Sequence, residues 1–450
     1  MEMKPTLLSL GLLIYSAVAL AAKSPPASTA YSADPHHLWN ELNSALFARV
    51  TPEGTVYGLS ELDILYWRST GHLLTEPSHS AALQVLDRFI RTHAERLIRD
   101  PLERLLLQRD LWELFDWAAT PNATTHPTQR AELEKRLATV IRRLALSDAQ
   151  IAALPDNYAT ATPNPDLPPD LFAPNSDWVT ARSHDSEVGP LASLHTEAFN
   201  GHSVFLVLVR LPQGRQKTVD YLNSLRDFEG PLVSARLLRN HLHYLTLNPD
   251  LPQFPPGTEW ALVRRLCVID SQGLIRPTPL IESIQLRRYD SIDTLRVNPG
   301  GSNMAGSTPA QRMSEFDLDK LHEGALKPLT PADLDFQFVH FRSMGGDPFE
   351  FTSGQEGTPN PDSVRRAALK TCYSCHASAG ILSVASFNRE NFSPQTVQRL
   401  QATPELPPQI AQSYTPPPNA QQEIEDTVLW KYRQFDWGLL QGLWLTTYLP

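Results

Sequence analysis

Two cysteines and a histidine stand together late in the chain, at Cys372-Tyr373-Ser374-Cys375-His376. The pattern C-x-x-C-H is that of a covalent haem-attachment site. On a helix, positions i and i+3 share a face, so two sulfurs so spaced can reach the two vinyl groups on one edge of a porphyrin. The imidazole of His376 can then turn a ring nitrogen onto the iron as proximal ligand. Two other chemistries use the same residue types. A dithiol redox pair sits after an apolar strand, at a helix start, whereas the lead-in here, Asp362 to Lys370, is polar and helical in pattern. A zinc site wants two further ligands at short spacing, and the remaining cysteine, Cys267, lies far upstream.

The element that must position the motif is a helix. Asn360 is a candidate N-cap, Pro361 fits the first helical position, and Asp362 favours the positive end of the helix dipole. Val364, Ala368, Cys372 and Cys375 then fall on one stripe. Ala367 and Ala368 are small enough for a porphyrin edge to lie near the backbone, and Gly380 is the expected stop. The same stripe would serve an ordinary buried helix face.

With those residues in view, residues 356–450 resemble part of a small electron-transfer cytochrome of the c type. Such proteins carry C-x-x-C-H on one helix, a methionine or histidine further along, and a closing helix. The resemblance implies one haem c joined through Cys372 and Cys375, with His376 as the proximal iron ligand. It also implies export, because haem of this kind is attached on the outer side of the membrane. One departure matters: after His376 the chain has no methionine and no histidine, and its one lysine there is Lys431. The distal ligand must therefore come from upstream, or the iron is five-coordinate. The nearest upstream candidates are His340, Met344, His322, Met313 and Met304. Met344 is the first choice, beside Gly345-Gly346, where backbone can approach a flat cofactor, and ahead of aromatics suited to a haem wall. His340, on an expected strand from Phe336 to Ser343, is the second.

The N-terminus reads as a signal peptide over residues 1–21. Lys4 supplies the charge, Leu7 to Leu20 the apolar core, and Ala19-Leu20-Ala21 the cleavage site. That apolar run is short for a membrane span, so a periplasmic or otherwise exported mature chain without a stable span is expected. A formal net charge of −10 argues against nucleic acid and suits a basic redox partner protein. Proline is abundant, with 39 residues, and clusters into connectors.

The expected fold class is α+β. A helical region spans 36–154, with helices at Ala81 to Ile98, Glu103 to Ala119 and Arg130 to Leu146. In the second, Leu107, Leu111, Leu114 and Ala118 make an apolar stripe, with Arg109, Glu113 and Asp116 on the opposite side. Ser147 should cap a short helix. His72, His79 and His93 are isolated and expected to be solvated or hydrogen-bonded. A proline-rich linker is expected over 155–175, then a mixed α/β region over 176–355. Within it Ser203 to Leu211 reads as a buried strand, Val219 to Phe228 as a helix, and Trp260 to Ile269 and Leu280 to Tyr289 as strands joined through Asp270-Ser271-Gln272-Gly273. Cys267 falls in the first of this pair as a small core residue. His241 and His243 would share a strand face, but no third metal ligand is evident. Residues 297–315, rich in Gly, Ser and Asn, read as a loop. The mainly helical haem segment, 356–450, closes with Gln421 to Leu449, carrying Trp430, Phe435, Trp437 and Trp444. These rings would pack on the haem or in the general core.

Three functions follow as expectations. The first is an exported mono-haem electron carrier, its potential set by axial ligand and burial. The second is a haem enzyme of peroxidase type with an open distal position, which would want a distal acid–base group; Glu350 and Arg342 are near Met344, though any loop carries such residues. Di-haem peroxidases need two C-x-x-C-H motifs, and this chain has one. The third is a haem-based sensor or partner-docking protein, in which the large upstream portion has the main role.

Overall fold

The computed structural model of the chain describes residues 30–50, 56–58, 71–120, 125–161, 167–173, 175–181, 196, 199–226, 228, 232–236, 243–247, 250–292, 311–318, 326–328, 380–384 and 420–446. These form an α+β protein. In chain order the helices are α1 (Leu38–Phe47), α2 (Ser78–Arg91), α3 (Pro101–Ala118), α4 (Pro127–Leu144), α5 (Asp148–Ala152), α6 (Asn157–Ala161), α7 (Arg215–Arg226), α8 (Ile381–Val384), α9 (Ala420–Tyr432) and α10 (Phe435–Trp444). No helix among the described residues is long and apolar enough to cross a membrane.

Local chemistry sets the helix ends. Asp100 precedes α3, its carboxylate accepts from Leu102 N at 2.8 Å, and Pro101 takes the first position, where its missing N–H costs nothing. Ser147 and Gln150 form a capping box at α5. In α4, Leu133, Leu137, Val140, Ile141 and Leu144 make one buried stripe, the spacing of a helix with one face on the core. α3 is different, being buried on all sides from Leu105 to Ala118. Its charged side, Arg109, Glu113 and Asp116, is as deeply enclosed as its leucines.

The strands are β1 (Arg49–Val50), β2 (Val56–Tyr57), β3 (Val179–Ala181), β4 (Ser203–Arg210), β5 (Leu232–Arg236), β6 (His243–Leu247), β7 (Glu259–Ile269), β8 (Ile275–Tyr289), β9 (Gln311–Leu318) and β10 (Leu326–Pro328). Six of them form an antiparallel sheet in the order β10-β9-β8-β7-β4-β3. The β7–β8 hairpin turns at Asp270, whose Oδ1 accepts from Gln272 N and Leu274 N at 2.9 Å each. Gly273 sits there at φ 79, a backbone region that favours glycine. β9 begins at Gln311, so the end of the stretch expected as a loop is a strand, paired with Ser283 to Tyr289 of β8.

Successive side chains of a strand point to opposite faces, and both faces of this sheet are covered. Val204, Leu206 and Leu208 of β4, Ala261 and Val263 of β7 and Ile284 of β8 join the large core with α1 to α4 and α10. Val209 of β4, Trp260 of β7 and Tyr289 of β8 join a second core with Tyr221, Leu222 and Leu225 of α7, Phe254, and Ile381 and Val384 of α8. This two-sided burial is why β4 reads as a continuous apolar run rather than an alternating one. In the proline-rich stretch expected as a linker, Tyr158, Leu167 and Leu171 are packed into the large core. The Asn157 side chain donates to Ile281 O and accepts from Ile281 N, each at 2.9 Å.

Of the C-terminal rings, Trp437 and Trp444 pack in the large core, and Trp437 lies 6.0 Å from Trp112 of α3 between ring centroids. Phe435 is 61% exposed. Gln441 reaches Gly273 O at 3.2 Å, and Arg142 donates to Trp444 O at 2.6 Å. The closing helices are thereby tied to α4 and to the β7–β8 turn.

Candidate functional site

Charged side chains from five elements, with one histidine from outside them, meet inside the large core. α3 gives Arg109, Asp110, Glu113 and Asp116; β7 gives Arg264; β8 gives Glu282; α9 gives Lys431; α10 gives Asp436; and His202 stands just before β4. Arg109 donates from Nη1 to Glu282 Oε1 at 2.7 Å and from Nε to Asp110 Oδ1 at 2.9 Å. Ser203 Oγ donates to Glu282 Oε2, and Arg264 Nε lies 3.5 Å from that oxygen. Lys431 Nζ lies 2.5 Å from Asp116 Oδ2 and donates to Asp436 Oδ2. His202 is fully buried, with Nε2 at 2.8 Å from Asp116 Oδ2 and Nδ1 at 3.5 Å from Glu113 Oε1. Its contacts are ion-pair approaches rather than aligned hydrogen bonds.

The backbone holds His202 in place. His202 N donates to Phe199 O at 3.0 Å, and Cys267 N donates to His202 O at 2.8 Å. Gly201 before it sits at φ 74, and a Cβ there would meet Lys431 Cβ at 3.0 Å and the Trp430 ring at 3.1 Å. Glycine thus lets α9 approach closely enough for Lys431 to enter the cluster. Trp112 closes the floor, edge-on to His202 at 4.3 Å and beneath the Lys431 ammonium at 5.6 Å.

Four cationic heads, counting protonated His202, face five carboxyls. Burial in low dielectric disfavours charge, and neighbours of opposite sign restore it. For His202, burial pulls its pKa down, but Asp116 and Glu113 outweigh that and hold it above the ordinary value. For Asp116, burial pushes up, yet Lys431 and His202 keep it below. Glu282 is likewise held low against burial by Arg264 and Arg109. Burial wins at Glu113, which is raised. It also wins at Asp436, with help from the Asp116 charge, pushing it up to about 6. Asp116 Oδ1, Glu113 Oε2 and Trp112 Nε1 have no hydrogen-bond partner among the described residues. All of its members but the half-buried Arg264 are buried, and the cluster can clamp helices and exchange protons.

Cys372, Cys375 and His376, expected to attach haem, and the expected distal candidates Met344 and His340 lie outside the described residues, as does the 297–310 part of the expected loop. The chain is described again from Gly380, at φ 52, directly before α8; the helix it was expected to stop lies outside the described residues. No protein-family model, curated protein or solved structure matches the chain. Among the described residues, no group of three or more His, Cys, Asp or Glu side chains could hold a metal ion.

The other singled-out residues fall as follows. Cys267 is fully buried, and burial pushes its thiol up to about 12, as suits a core residue. His79 is held by Leu73 O at 2.9 Å and Glu132 at 3.1 Å. His72 pairs with Ser78 and His93 with Glu95. His243 lies on β6; His241 is outside the described residues. The buried cluster is what the sequence reading missed. Its one visible signal was Lys431, a solitary lysine in an aromatic segment.

Proposed function

We propose that the chain is an exported protein carrying a single covalent haem c, and that it transfers electrons. The observation that carries this reading is the five-residue run Cys372 to His376. Its donor set fits the group: two thiols at i and i+3 for the two vinyl positions, and an adjacent imidazole for the iron. When bound, haem supplies a one-electron iron couple. The chain's own part is to fix the porphyrin through Cys372 and Cys375, to hold His376 as proximal ligand, and to set the polarity around it. Met344 is the first candidate for the distal side and His340 the second. The cytochrome-like character of 356–450 and the periplasmic or exported location belong to the same reading. The acidic balance of the chain supports a basic redox partner.

The test is expression with an export signal in a host competent in cytochrome maturation. The mature chain should carry one haem that survives denaturing electrophoresis, and Cys372→Ala with Cys375→Ala should abolish it. A colourless wild-type product with the mass of the bare polypeptide would refute the proposal. Low-spin iron that becomes high-spin in Met344→Ala but not in His340→Ala would assign the distal ligand. High-spin iron in the wild type with peroxide turnover would move the reading to the haem-enzyme class.

A further inference from the structure

The closing helices α9 and α10, joined only by Arg433 and Gln434, meet the rest of the protein at a buried joint where two carboxyls share one ammonium. Asp116 of α3 and Asp436 of α10 each place Oδ2 2.5 Å from Lys431 Nζ of α9. The two carboxyls are unequally provided for. Asp116 also has His202, before β4, at 2.8 Å, and His202 has Glu113 of α3 on its other side at 3.5 Å. Asp436 has Lys431 as its cation among the described residues. The remaining polar groups at the joint hold the backbone or sit at its edge. Arg142 of α4 donates to Trp444 O at 2.6 Å, Gln441 reaches Gly273 O at 3.2 Å, and Tyr432 Oη accepts from Ile275 N at 3.2 Å.

Two carboxylates held at one ammonium in low dielectric repel each other unless one of them keeps a proton. Burial first, and then the Asp116 charge, push Asp436 up to about 6, with Lys431 pulling the other way. A solvated aspartate titrates near about 3.9. We propose that α9 and α10 form a pH-sensitive latch on the large core, closed in mildly acidic solution, where one proton and one ammonium serve both aspartates, and loosened towards neutral and alkaline pH, where the two aspartates are ionised side by side. The docked helices keep a proton on Asp436 over a range in which released helices do not. That contribution to docking is complete below the solvated value and lost as pH rises through the docked one. His202 and Glu113 remain beside Asp116 in either state and do not carry this step. Opening lifts α9 and α10 together as a local unit and bares Trp112, which is fully buried while the latch is shut.

Hydrogen–deuterium exchange of the purified full chain, read by mass spectrometry and corrected for the intrinsic exchange rate at each pH, is the test. Peptides from α9 and α10 report the latch, and peptides from β7 and β8 report the sheet beneath it. From about pH 5 to about pH 7.5, protection of the latch relative to the sheet should fall by about tenfold. Asp436→Asn, neutral throughout, should hold that ratio level across the range. Arg142→Gln loses the bond to Trp444 O and leaves the aspartate pair intact, so it should lower latch protection at every pH and keep the step. Wild-type latch protection that stays in proportion to that of the sheet, or a step of undiminished size in Asp436→Asn, would overturn the inference.

Discussion

Removing the Lys431 ammonium is the sharpest perturbation of the buried cluster. Lys431→Met keeps the length of the side chain and its packing over Trp112, and deletes one charge. That charge is fully buried between Asp116, itself fully buried, and Asp436. Breaking a buried pair from one side costs about 3–5 kcal/mol, because it leaves the partner charge uncompensated. At about 2 °C per kcal/mol for a large domain, the melting temperature should fall by roughly 6–10 °C.

The loss should also depend on pH, and its sign can be worked out. In the wild type Asp116 is held below its ordinary value, so its contribution is present above the unfolded value, near about 3.9, and fades as pH falls through the lower folded value. Without Lys431, burial and mutual repulsion raise both Asp116 and Asp436, so each costs stability as pH rises through its folded value. The gap between wild type and variant should therefore be widest at pH 7–8 and narrow towards pH 4. Adding Asp116→Asn to Lys431→Met should recover much of the loss, because a neutral pair leaves less buried charge. Thermal melts across that pH range decide the matter. A variant as stable as the wild type, or a gap that stays constant between pH 5 and 8, would refute the clamp.

Other expectations follow from the same geometry. His202 is raised above its ordinary value by Asp116 and Glu113 against the pull of burial; its contribution is complete below about 6.5 and lost as pH rises through the folded value. Denaturant midpoints of the wild type should therefore fall from neutral to alkaline pH, and those of His202→Gln should be flatter there; parallel curves would count against the assignment. Cys267 is sealed in the core with its thiol pushed up to about 12, and in the haem-loaded chain the other two cysteines would be thioethers. A thiol reagent should find no group in native protein and one after unfolding; three on unfolding would contradict covalent haem.

Much of the helical layer and the hairpin could be read from local chemistry. Asp100-Pro101 and Ser147 mark their helix starts without help from elsewhere, and the Asp270–Gly273 turn fixes its hairpin through its own side-chain acceptor. β4 was visible because burial on two faces leaves an unbroken apolar run. What could not be read was the fate of the charged side of α3. Periodicity places Arg109, Glu113 and Asp116 opposite the leucines, but whether that side meets water depends on partners far along the chain. Lys431 is 315 residues from Asp116, and Glu282 is 173 from Arg109. β9 was obscured because a Gly- and Ser-rich run leads straight into it, and only pairing with β8 shows where the strand begins. The Asn157 bonds that hold the proline-rich stretch to β8 were equally non-local.

The two polar assemblies lie on opposite faces of one sheet, and their positions in the chain give that separation meaning. Tyr289, Ser383 and Gln253 hold the chain just after the C-x-x-C-H motif, within the second core. Lys431, Asp116 and Asp436 hold it where α9 and α10 return, against the large core. The stretch between α8 and α9 is thus fastened at both ends by polar groups in low dielectric, where a misplaced partner costs more than a misplaced methyl. Apolar packing tolerates exchange of one large side chain for another, and would leave the closing helices free to slide against α3. A buried ammonium between two carboxylates accepts one register. On this argument the cluster's task is to bring the chain back to a defined place after the stretch that carries the C-x-x-C-H motif, and the price in desolvation is met by fixing that register.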